Sequence, residues 1–520
     1  MEIFQNFDFS AGLNILNGAT EILPSQCVLS QNFITDGKKL KTLCGFEKFN
    51  RYPIDGYELK HVKSLFRFIK PSDTNIKKFI ASIGDSVWQA DEILKQWNSL
   101  ISGLNENDVV DFAQIGDSYC YMVNRSNGLF KYNGTSAPYS ISSAPGGLTI
   151  SAHYNRLFIG GNPSHPNRFY WSEPGMHDSW DVAENYQELP TVDGDSVTKI
   201  IFFNNGSLVF KQQSIWQVEG NIEPFPVYAV SESIGSPAGK SILNYGNRIF
   251  WFGNTGHFYC YDGSAITNLT EPKIGKIPVA RSMMDKVCAS VVDGWLWLSY
   301  CDKNTNDVFN NRVLMLDLEN PSKDPKWFGA HKGYHINSFC QFSGQVDSGN
   351  VFFGDAVTST VWLKNKSYYL GYGLIGTTLS GTSSTITVRC DDNDVTENCL
   401  VGCKITLTGG QGAGQERVIT SNTAFTENNG LYEGVLTVHS DFAVIPSSNT
   451  LWAIGLIDAK YRTGPLSFET PEQQKIFDKI FLHTEAKGGY GVKISVLKDH
   501  LDSGSDYFYS LSGDTSLWDS

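Results

Sequence analysis

Short aromatic and β-branched runs, separated by turn residues, recur along the chain from about residue 61 to residue 366. The first unit reads VKSLFRFIK, IKKFIASIG and DSVWQAD, and the fifth reads GKSILNYGN, RIFWFGN and GHFYCYDG. Aromatic and β-branched residues favour strands, whereas Gly, Asn and Asp favour the tight turns between them. Each unit therefore predicts three consecutive antiparallel strands.

The units repeat with a nearly constant period. Their starts lie 39 to 49 residues apart. The seven first strands are predicted to begin near Val62, Val109, Leu148, Val197, Lys240, Lys286 and Tyr334. Short strands at a period in the forties are typical of propeller blades. We therefore predict an all-β protein with a β-propeller over residues 61–370. Seven blades are favoured, and six remain the alternative if an end unit belongs to a neighbouring domain.

A fourth, outer strand is expected in the gaps between units, for example in APYSIS and FPVYAVSE. Residues 1–60 contain two weak strand candidates and no repeat unit, so we expect an arm that packs on the propeller and could close its ring. Residues 371–458 are rich in Thr, Ser and Gly. Within this range Thr alternates with Val or Ile and the turns are rich in Gly, which predicts a small β-barrel or sandwich. Residues 459–520 predict a C-terminal β-hairpin from KIFDKIFLHTEA and VKISVLK. A helix start at Thr470 and Pro471 is the weaker alternative there.

Composition and charge narrow the function classes. The chain has 520 residues, and 41 basic against 54 acidic side chains give a net charge of −13, which disfavours a surface that grips phosphates. The first residues show no signal-peptide pattern, and no apolar run is long enough to span a membrane. Ten cysteines are scattered through strand-like segments, which indicates small buried side chains in a protein made in a reducing compartment.

Several motifs match known sites only in part. ESIGSPAGKS ends in Gly-Lys-Ser, but the phosphate-binding loop needs a glycine at position 234, which is Ile234, and a helix afterwards. GYGLIG at 371–376 matches a dinucleotide fingerprint, yet a β sequence follows it. We therefore expect neither ATP hydrolysis nor NAD binding, and we place Gly239, Lys240 and Ser241 at the entry to the fifth unit's innermost strand.

Metal sites are also disfavoured. CDDNDVTENC, with Asp391, Asp392 and Asp394, lacks the glycine and glutamate of a calcium loop, and DKNTNDVFNN from Asp302 fails in the same way. A zinc site is considered at Cys390, Cys399 and Cys403. These cysteines lack the second pair of ligands that such a site needs, so we expect them to pack within strands instead. No catalytic, cofactor-binding or metal-binding residue is assigned.

Glycosidases are among the enzymes built on propellers, so their sequence features are relevant to this chain. The nearest string to their blade turn is SGDTSLW, with Ser516 in the place of a glycine. The mechanism needs two carboxylates at a defined separation, and the sequence singles out no such pair. The sequence therefore favours a protein that is not an enzyme.

Two segments resemble proteins of tailed-bacteriophage virions. SESIGSPAGKSILNYGNRIFWFGNTGHFYCYDGSAITNLT resembles their propeller blade, and GLNILNGATEILPSQCVLSQNFITDGKKLKTLCGFEKF resembles their N-terminal segment. LVGCKITLTGGQGAGQERVITSNT resembles a small β-domain of several phage tail proteins. Together the segments are similar to the tail nozzle or tail hub family of short-tailed phages, which is related to tubular tail protein B and packaged-DNA stabilization protein. The resemblance also leads us to expect a further strand where this sequence ends at SLWDS.

The resemblance implies a structural role in the virion. Members of this family would form a homohexameric ring at the distal end of the tail, extend the DNA channel and retain the genome until DNA ejection. Implied partners are an adaptor or portal-side protein, tail fibres, spikes or a needle, and viral double-stranded DNA passing without sequence-specific contact. Assembly in the host cytoplasm is implied. The alternatives are a propeller adhesin or spike that binds a host-surface glycan or protein, and a propeller glycosidase.

Overall fold

The computed structural model describes residues 8–18, 21–54, 56–73, 75–116, 119–189, 195–342, 349–365 and 369–464, and two strands at 490–496 and 505–511. The described chain is almost entirely β-structure and forms a propeller-like set of sheets, so the predicted fold class is confirmed at that level. The helical elements of the described ranges are two short 3₁₀ helices, Gly239–Ser241 and Arg281–Lys286.

Five short strands precede the repeats. They are β1 (Gly12–Leu13), β2 (Gln26–Gln31), β3 (Phe33–Asp36), β4 (Lys39–Thr42) and β5 (Phe46–Lys48). The sequence predicted only two weak strands in this region.

The repeat units form seven sheets in chain order, which we call sheets 1 to 7, and consecutive strands within each unit pair antiparallel. Sheet 1 contains β6 (Val62–Ile69), β7 (Lys77–Ile83), β8 (Ser86–Asp91) and β9 (Gln96–Ile101). Sheet 2 contains β10 (Asp111–Ile115), β11 (Tyr119–Asn124), β12 (Gly128–Tyr132) and β13 (Tyr139–Ile141). Sheet 3 contains β14 (Thr149–His153), β15 (Arg156–Gly160), β16 (Arg168–Trp171) and β17 (Tyr186–Glu188). Sheet 4 contains β18 (Val197–Phe203), β19 (Gly206–Lys211), β20 (Ile215–Glu219) and β21 (Val227–Ser231).

The remaining three sheets follow the same order. Sheet 5 contains β22 (Leu243–Tyr245), β23 (Arg248–Phe252), β24 (Phe258–Tyr261) and β25 (Ile266–Asn268). Sheet 6 contains β26 (Cys288–Val292), β27 (Trp295–Tyr300), β28 (Arg312–Asp317) and β29 (Trp327–Lys332). Sheet 7 contains β30 (Ile336–Gln341), β31 (Val351–Asp355) and β32 (Val361–Lys364), and it is completed by β5 and β33 (Leu370–Gly371). The predicted outer strands in APYSIS and FPVYAVSE are confirmed as β13 and β21.

Turn chemistry explains the first hairpin of several sheets. Asn155, Asn204, Asn247 and Asp293 lie between the first and second strands of sheets 3 to 6, and all have positive φ angles near 50° to 57°. Asn and Asp tolerate this left-handed backbone better than other residues with a side chain, and it matches the twist of a tight hairpin. The turn residues that mark the period in the sequence thus have a direct structural role.

The central strands of the sheets are buried by the neighbouring sheets, whereas outer strands such as β9 and β21 are partly exposed. Strand β19 is buried along its whole length, and so are β15 and β31. Seven apolar clusters fill the spaces between consecutive sheets, including the space between sheet 7 and sheet 1. The first strands of the seven sheets contact one another in the same circular order. We call the line that they surround the propeller axis.

The N-terminal segment completes the last sheet. Strand β5 pairs antiparallel with β32 and parallel with β33, so residues near position 47 lie inside sheet 7. Phe46 is 4% exposed and contacts Trp362, Tyr334 and Phe353, with ring centroids 4.9, 5.4 and 6.2 Å away. The chain therefore joins its beginning to the end of the repeat region through main-chain hydrogen bonds and an aromatic core.

The segment after sheet 7 forms a sheet that closes on itself through pairing of β35 with β39. Its strands are β34 (Leu374–Gly381), β35 (Thr385–Cys390), β36 (Lys404–Gly409), β37 (Glu416–Asn422), β38 (Thr426–Asn428), β39 (Leu431–Val438) and β40 (Leu451–Ile454). Its core is continuous with that of sheets 6 and 7. Lys48 strengthens this junction, because its ammonium donates to the carbonyl oxygens of Cys399 and Val401 at 3.0 and 2.7 Å.

Three strands lie toward the C-terminal end. Strand β41 (Lys460–Thr463) pairs with β2, which itself pairs with β1. Strand β42 (Tyr490–Val496) pairs with β43 (Ser505–Leu511). VKISVLK thus lies largely in β42 and pairs with the strand that follows it. The segment KIFDKIFLHTEA, the Thr470–Pro471 helix start and SGDTSLW lie outside the described residues.

Candidate functional site: the axial lysines

The Gly-Lys-Ser segment lies at the propeller axis. Gly239, Lys240 and Ser241 form a 3₁₀ turn directly before β22, at the predicted entry to the innermost strand of sheet 5. The expected crowding is present, because a Cβ on Gly239 would lie 2.6 Å from the carbonyl oxygen of Thr198 in sheet 4. A side chain larger than hydrogen would force the main chains of sheets 4 and 5 apart.

The side chain of Lys240 crosses from sheet 5 to sheets 7 and 1. Its Nζ donates to the main-chain oxygen of Asn337 at 2.8 Å and lies 3.3 Å from that residue's Oδ1. It also lies 3.4 Å from the carbonyl oxygen of Lys63. Burial lowers the pKa of Lys240 to about 8, and the nearby charge of Lys286 acts in the same direction. The ammonium thus bridges three sheets through neutral acceptors.

Lys63 is a second buried cation at this end of the axis. Only 5% of it is exposed, and its Nζ donates to the carbonyl oxygens of Gly84, Glu106 and Asp108. Burial lowers the pKa of Lys63, although the carboxylates of Glu106 and Asp108 oppose that effect. Its three donors are therefore used within sheets 1 and 2.

His61 and Lys286 complete this group. The Asn310 amide links the main chain of Lys286 to sheet 7, because it donates to the carbonyl oxygens of Lys286 and of Ile336, next to Asn337. Burial lowers the pKa of His61 to about 4, with further contributions from Lys240, Lys63, Lys286 and Lys60. Lys286 has a side chain 45% exposed and lies 3.4 Å from Asp285. We call His61, Lys63, Lys240 and Lys286 the axial cation cluster.

A separate ion pair joins the first strands of sheets 4 and 2. Lys199 Nζ lies 2.8 Å from Asp111 Oδ2, which also accepts hydrogen bonds from the Thr149 hydroxyl and the Ile150 amide. This carboxylate therefore links three sheets. Sequence analysis missed both axial features, since the lysines that meet there lie far apart in the chain.

The structure also forms a serine–histidine pair that the sequence did not reveal. Ser207 Oγ lies 2.5 Å from His153 Nε2, and the imidazole stacks on Phe158 with a centroid distance of 4.1 Å. Burial lowers the pKa of His153 to about 4, so the ring is neutral at pH 7 and shares one hydrogen bond with the serine hydroxyl. Its Nδ1 has no hydrogen-bond partner among the described residues. Ser207 is 3% exposed, and the pair joins sheets 3 and 4.

An aromatic patch lies on sheet 2. The Lys131 ammonium lies 3.9 Å from the centre of the Tyr119 ring and 5.9 Å from that of Tyr139, which is 52% exposed. Asp178 accepts from the same ammonium at 2.6 Å. The protein's own lysine therefore occupies the position that an external cation would take on these rings.

The other sequence motifs fall in ordinary strands and loops. GYGLIG covers the end of β33 and the start of β34, so a strand follows it. Asp394 pairs with Arg51 at 3.1 Å. All ten cysteines are free, and Cys390, Cys399 and Cys403 are at most 4% exposed within the apolar core. Among the described residues, no cluster of three or more His, Cys, Asp or Glu side chains could hold a metal ion.

ATP hydrolysis is expected to be absent from the purified protein with Mg²⁺ present. The Lys240 ammonium is held by main-chain oxygens, and a strand follows its turn where a phosphate-binding loop requires a helix. Phosphate release over hours, compared between the wild type and Lys240→Ala, measures this. Release that exceeds the buffer background and disappears in Lys240→Ala would contradict the interpretation.

Comparisons with known proteins give a weak structural likeness. No family model and no curated protein matches the chain. An extracellular domain attributed to a one-component system of B. thetaiotaomicron matches with a TM-score of 0.39 and 12% identity, over 66% of this chain and 44% of that one. The chain therefore spans less than half of that protein. The computationally designed Ika8 protein matches at 0.36 and 9% identity, over 61% and 100% of the two chains. U3-55K matches at 0.39 and 11% identity, over 60% and 97%.

A search for membrane-crossing helices among the described residues found none of sufficient length and apolar character.

Proposed function

We propose that this chain is a structural protein of a tailed-bacteriophage virion, in which six copies form the nozzle or hub ring of a short tail. The ring extends the DNA channel, retains the packaged genome and docks other tail proteins. Support comes from the resemblance of the fifth repeat unit and the N-terminal segment to phage propeller proteins. The weak structural likenesses above carry no weight in this proposal.

The single observation that carries the proposal is the placement of β5 between β32 and β33. A strand from the start of the chain completes the last sheet, so the circle of sheets is joined by main-chain hydrogen bonds. Closure of this kind leaves fewer unpaired strand edges than an open array of sheets. Such a body is suited to bear load as a scaffold.

The finer architecture belongs to the same proposal. Sheets 1 to 7 are the seven blades of one propeller over residues 61–370, and the self-closing sheet in 371–458 is a small barrel. Residues 1–60 are the arm that closes the propeller, and 459–520 form a C-terminal β segment. In the proposed ring, DNA passes through the lumen between subunits rather than through any one propeller.

The proposed partners are an adaptor or portal-side protein above the ring and fibres, spikes or a needle beside or below it. Viral double-stranded DNA passes through the lumen without sequence-specific contact. The net charge of −13 fits this role, because repulsion from carboxylates keeps a duplex from adhering to the wall.

Electron microscopy of the assembled protein is expected to show a closed hexameric ring with an acidic or neutral lumen. Lys and Arg should concentrate where subunits or other tail proteins meet, because each phosphate gripped in the lumen would add salt-dependent friction. Repulsion between the wall and the duplex acts only within about 8 to 10 Å in physiological salt. Charge mapped on the assembled oligomer provides the measurement.

Two outcomes would count against the proposal. A continuous basic stripe along a DNA-wide lumen would contradict the low-friction channel. A monomer or trimer without such a lumen would favour the adhesin, for which the exposed aromatic patch beside Lys131 on sheet 2 is the natural starting point.

A further inference from the structure

Most of the seven sheets have an outer edge that is short or covered. Sheets 2, 3 and 5 end in strands of three residues each, β13, β17 and β25. Sheet 6 ends in β29, whose main chain at Gly329 and Lys332 bonds to the side chains of Ser30 and Asn32. Sheet 7 is extended by β5 and β33. Edges of this kind give another chain little to pair with.

The outer strands of sheets 1 and 4 are the exceptions. Strand β9 has six residues and β21 has five, and each is the last strand of its sheet. No charged residue lies from 96 to 105 or from 224 to 231. Beyond their bonds to β8 and β20, the main chains of β9 and β21 make no hydrogen bond within the described part of the chain. We call their unpaired sides the open edges. An exposed strand without charge is a template for pairing with another strand.

The main chain of β21 presents donors and acceptors on its open edge. The Glu219 amide donates to the Pro226 oxygen at 3.0 Å, so Pro226 faces β20. Because antiparallel partners alternate, the main-chain groups of Val227 and Ala229 face away from β20. The proline therefore removes no donor from the open edge. Each of the two strands has one register shift toward its C-terminal end, and residues 96–99 and 227–229 pair regularly before it.

Exposed apolar side chains lie beside both open edges. Ile93 and Leu94, in the turn before β9, are 91% and 64% exposed. The Asp91 carboxylate accepts hydrogen bonds from both of their amides, at 3.0 and 2.9 Å, which holds this turn in one shape. Ile222, in the loop before β21, is 77% exposed. A preformed apolar turn loses little conformational freedom when a partner covers it, which favours its use as a contact.

We propose that β9 of one copy of this chain pairs with β21 of a second copy, so that sheet 1 of one subunit and sheet 4 of the next form one continuous sheet. A second copy fits because the two open edges are similar in length and both lack charge. Main-chain hydrogen bonds supply the affinity when a strand adds to an edge.

The positions of the two open edges allow each copy to have two neighbours. Sheets 1 and 4 lie three places apart in the circle of seven sheets, on roughly opposite sides. Contacts between two different surfaces of identical subunits generate a ring when the rotation closes. The pairing thus supplies the contact between subunits of the proposed nozzle ring, and its role in the tail rests on that proposed function.

Self-association of the full chain, measured by analytical ultracentrifugation over a range of concentrations, tests the open edges. Asn98→Lys places a charge on β9 and should weaken self-association at least tenfold, because a lysine on an edge strand opposes strand addition. Ala229→Pro removes an outward N–H from β21 and should weaken it similarly. Ser140→Lys is the matched control, because it makes the same charge change at an exposed position of the short strand β13 and should leave the association unchanged. Thermal unfolding shows whether each variant folds.

Cysteine substitution identifies which edges meet. A mixture of the Asn98→Cys and Ala229→Cys proteins, treated with a short bifunctional thiol reagent, should give more of the mixed dimer than of either homodimer. The natural cysteines other than Cys44 are buried, so they react little.

Two results would overturn the proposal and leave the nozzle ring standing. One is a ring that persists with unchanged affinity in both Asn98→Lys and Ala229→Pro. The other is an Asn98→Cys homodimer as abundant as the mixed dimer, since β9 would then pair with itself. Pairing of β9 with β21 in an open chain without a DNA-wide lumen would support this inference and contradict the nozzle ring. A wild type that stays monomeric at every concentration would contradict both.

Discussion

Phe46→Ala is expected to lower the free energy of unfolding by about 3 to 5 kcal/mol. Phe46 is 4% exposed and packs against Trp362, Tyr334 and Phe353 at the point where β5 enters sheet 7. Truncation removes a large apolar side chain and leaves a cavity that strands fixed by hydrogen bonds on both sides cannot close. Denaturant unfolding followed by tryptophan fluorescence would measure the change.

Tyr228→Ala serves as the matched control, because it truncates a 55% exposed aromatic residue on the outer strand β21. It should cost less than about 1 kcal/mol. Hydrogen exchange adds an independent readout: amides of β32 that bond to β5 should exchange faster in Phe46→Ala and remain protected in Tyr228→Ala. Equal stability of Phe46→Ala and the wild type would show that β5 does not close sheet 7 in solution.

The repeat could be predicted from sequence because its signals are local. Val62 and Val197 begin β6 and β18 as predicted, and the other first strands begin within three residues of the expected positions. Alternation, aromatic content and the Asn and Asp turns are all properties of neighbouring residues. The outer strands β13 and β21 were found for the same reason.

The N-terminal segment was harder to predict because its strands depend on distant partners. Strand β5 has three residues and little pattern of its own, yet it is fixed by β32 and β33 more than 300 positions later. Strand β2 likewise pairs with β41 near the other end of the described chain. A strand this short is stabilised by the strands that pair with it and the side chains that pack on it. Neither can be recognised from the sequence around the strand.

The axial cation cluster illustrates the same limit for function. Motif reasoning predicted no phosphate-binding loop at Lys240 from the spacing, and it predicted a strand after this segment, which the structure contains as β22. It could not place Lys240 beside Lys63 and Asn337, since three different sheets bring them together. These residues come together only because the circle of sheets closes, and the burial that results lowers the pKa of Lys240.

Raising the pH from 8 to 10.5 is expected to stabilise the wild type relative to Lys240→Met by about 3 kcal/mol. Burial lowers the pKa of Lys240 from 10.5 to about 8 in the folded protein. Below pH 8 both states are protonated, and the folded state bears the full cost of burying the charge. Between pH 8 and pH 10.5 the Lys240 side chain is protonated in the unfolded chain and neutral in the folded chain, so the free energy of unfolding rises with pH. Above 10.5 both states are neutral and the gain is complete.

The measurement is the difference in unfolding free energy between wild type and Lys240→Met at several pH values in phosphate-free buffer. Taking the difference cancels the titration of buried cysteines and tyrosines common to both proteins. A flat difference would show that water solvates the ammonium, and a falling one would show that an acidic group stabilises it.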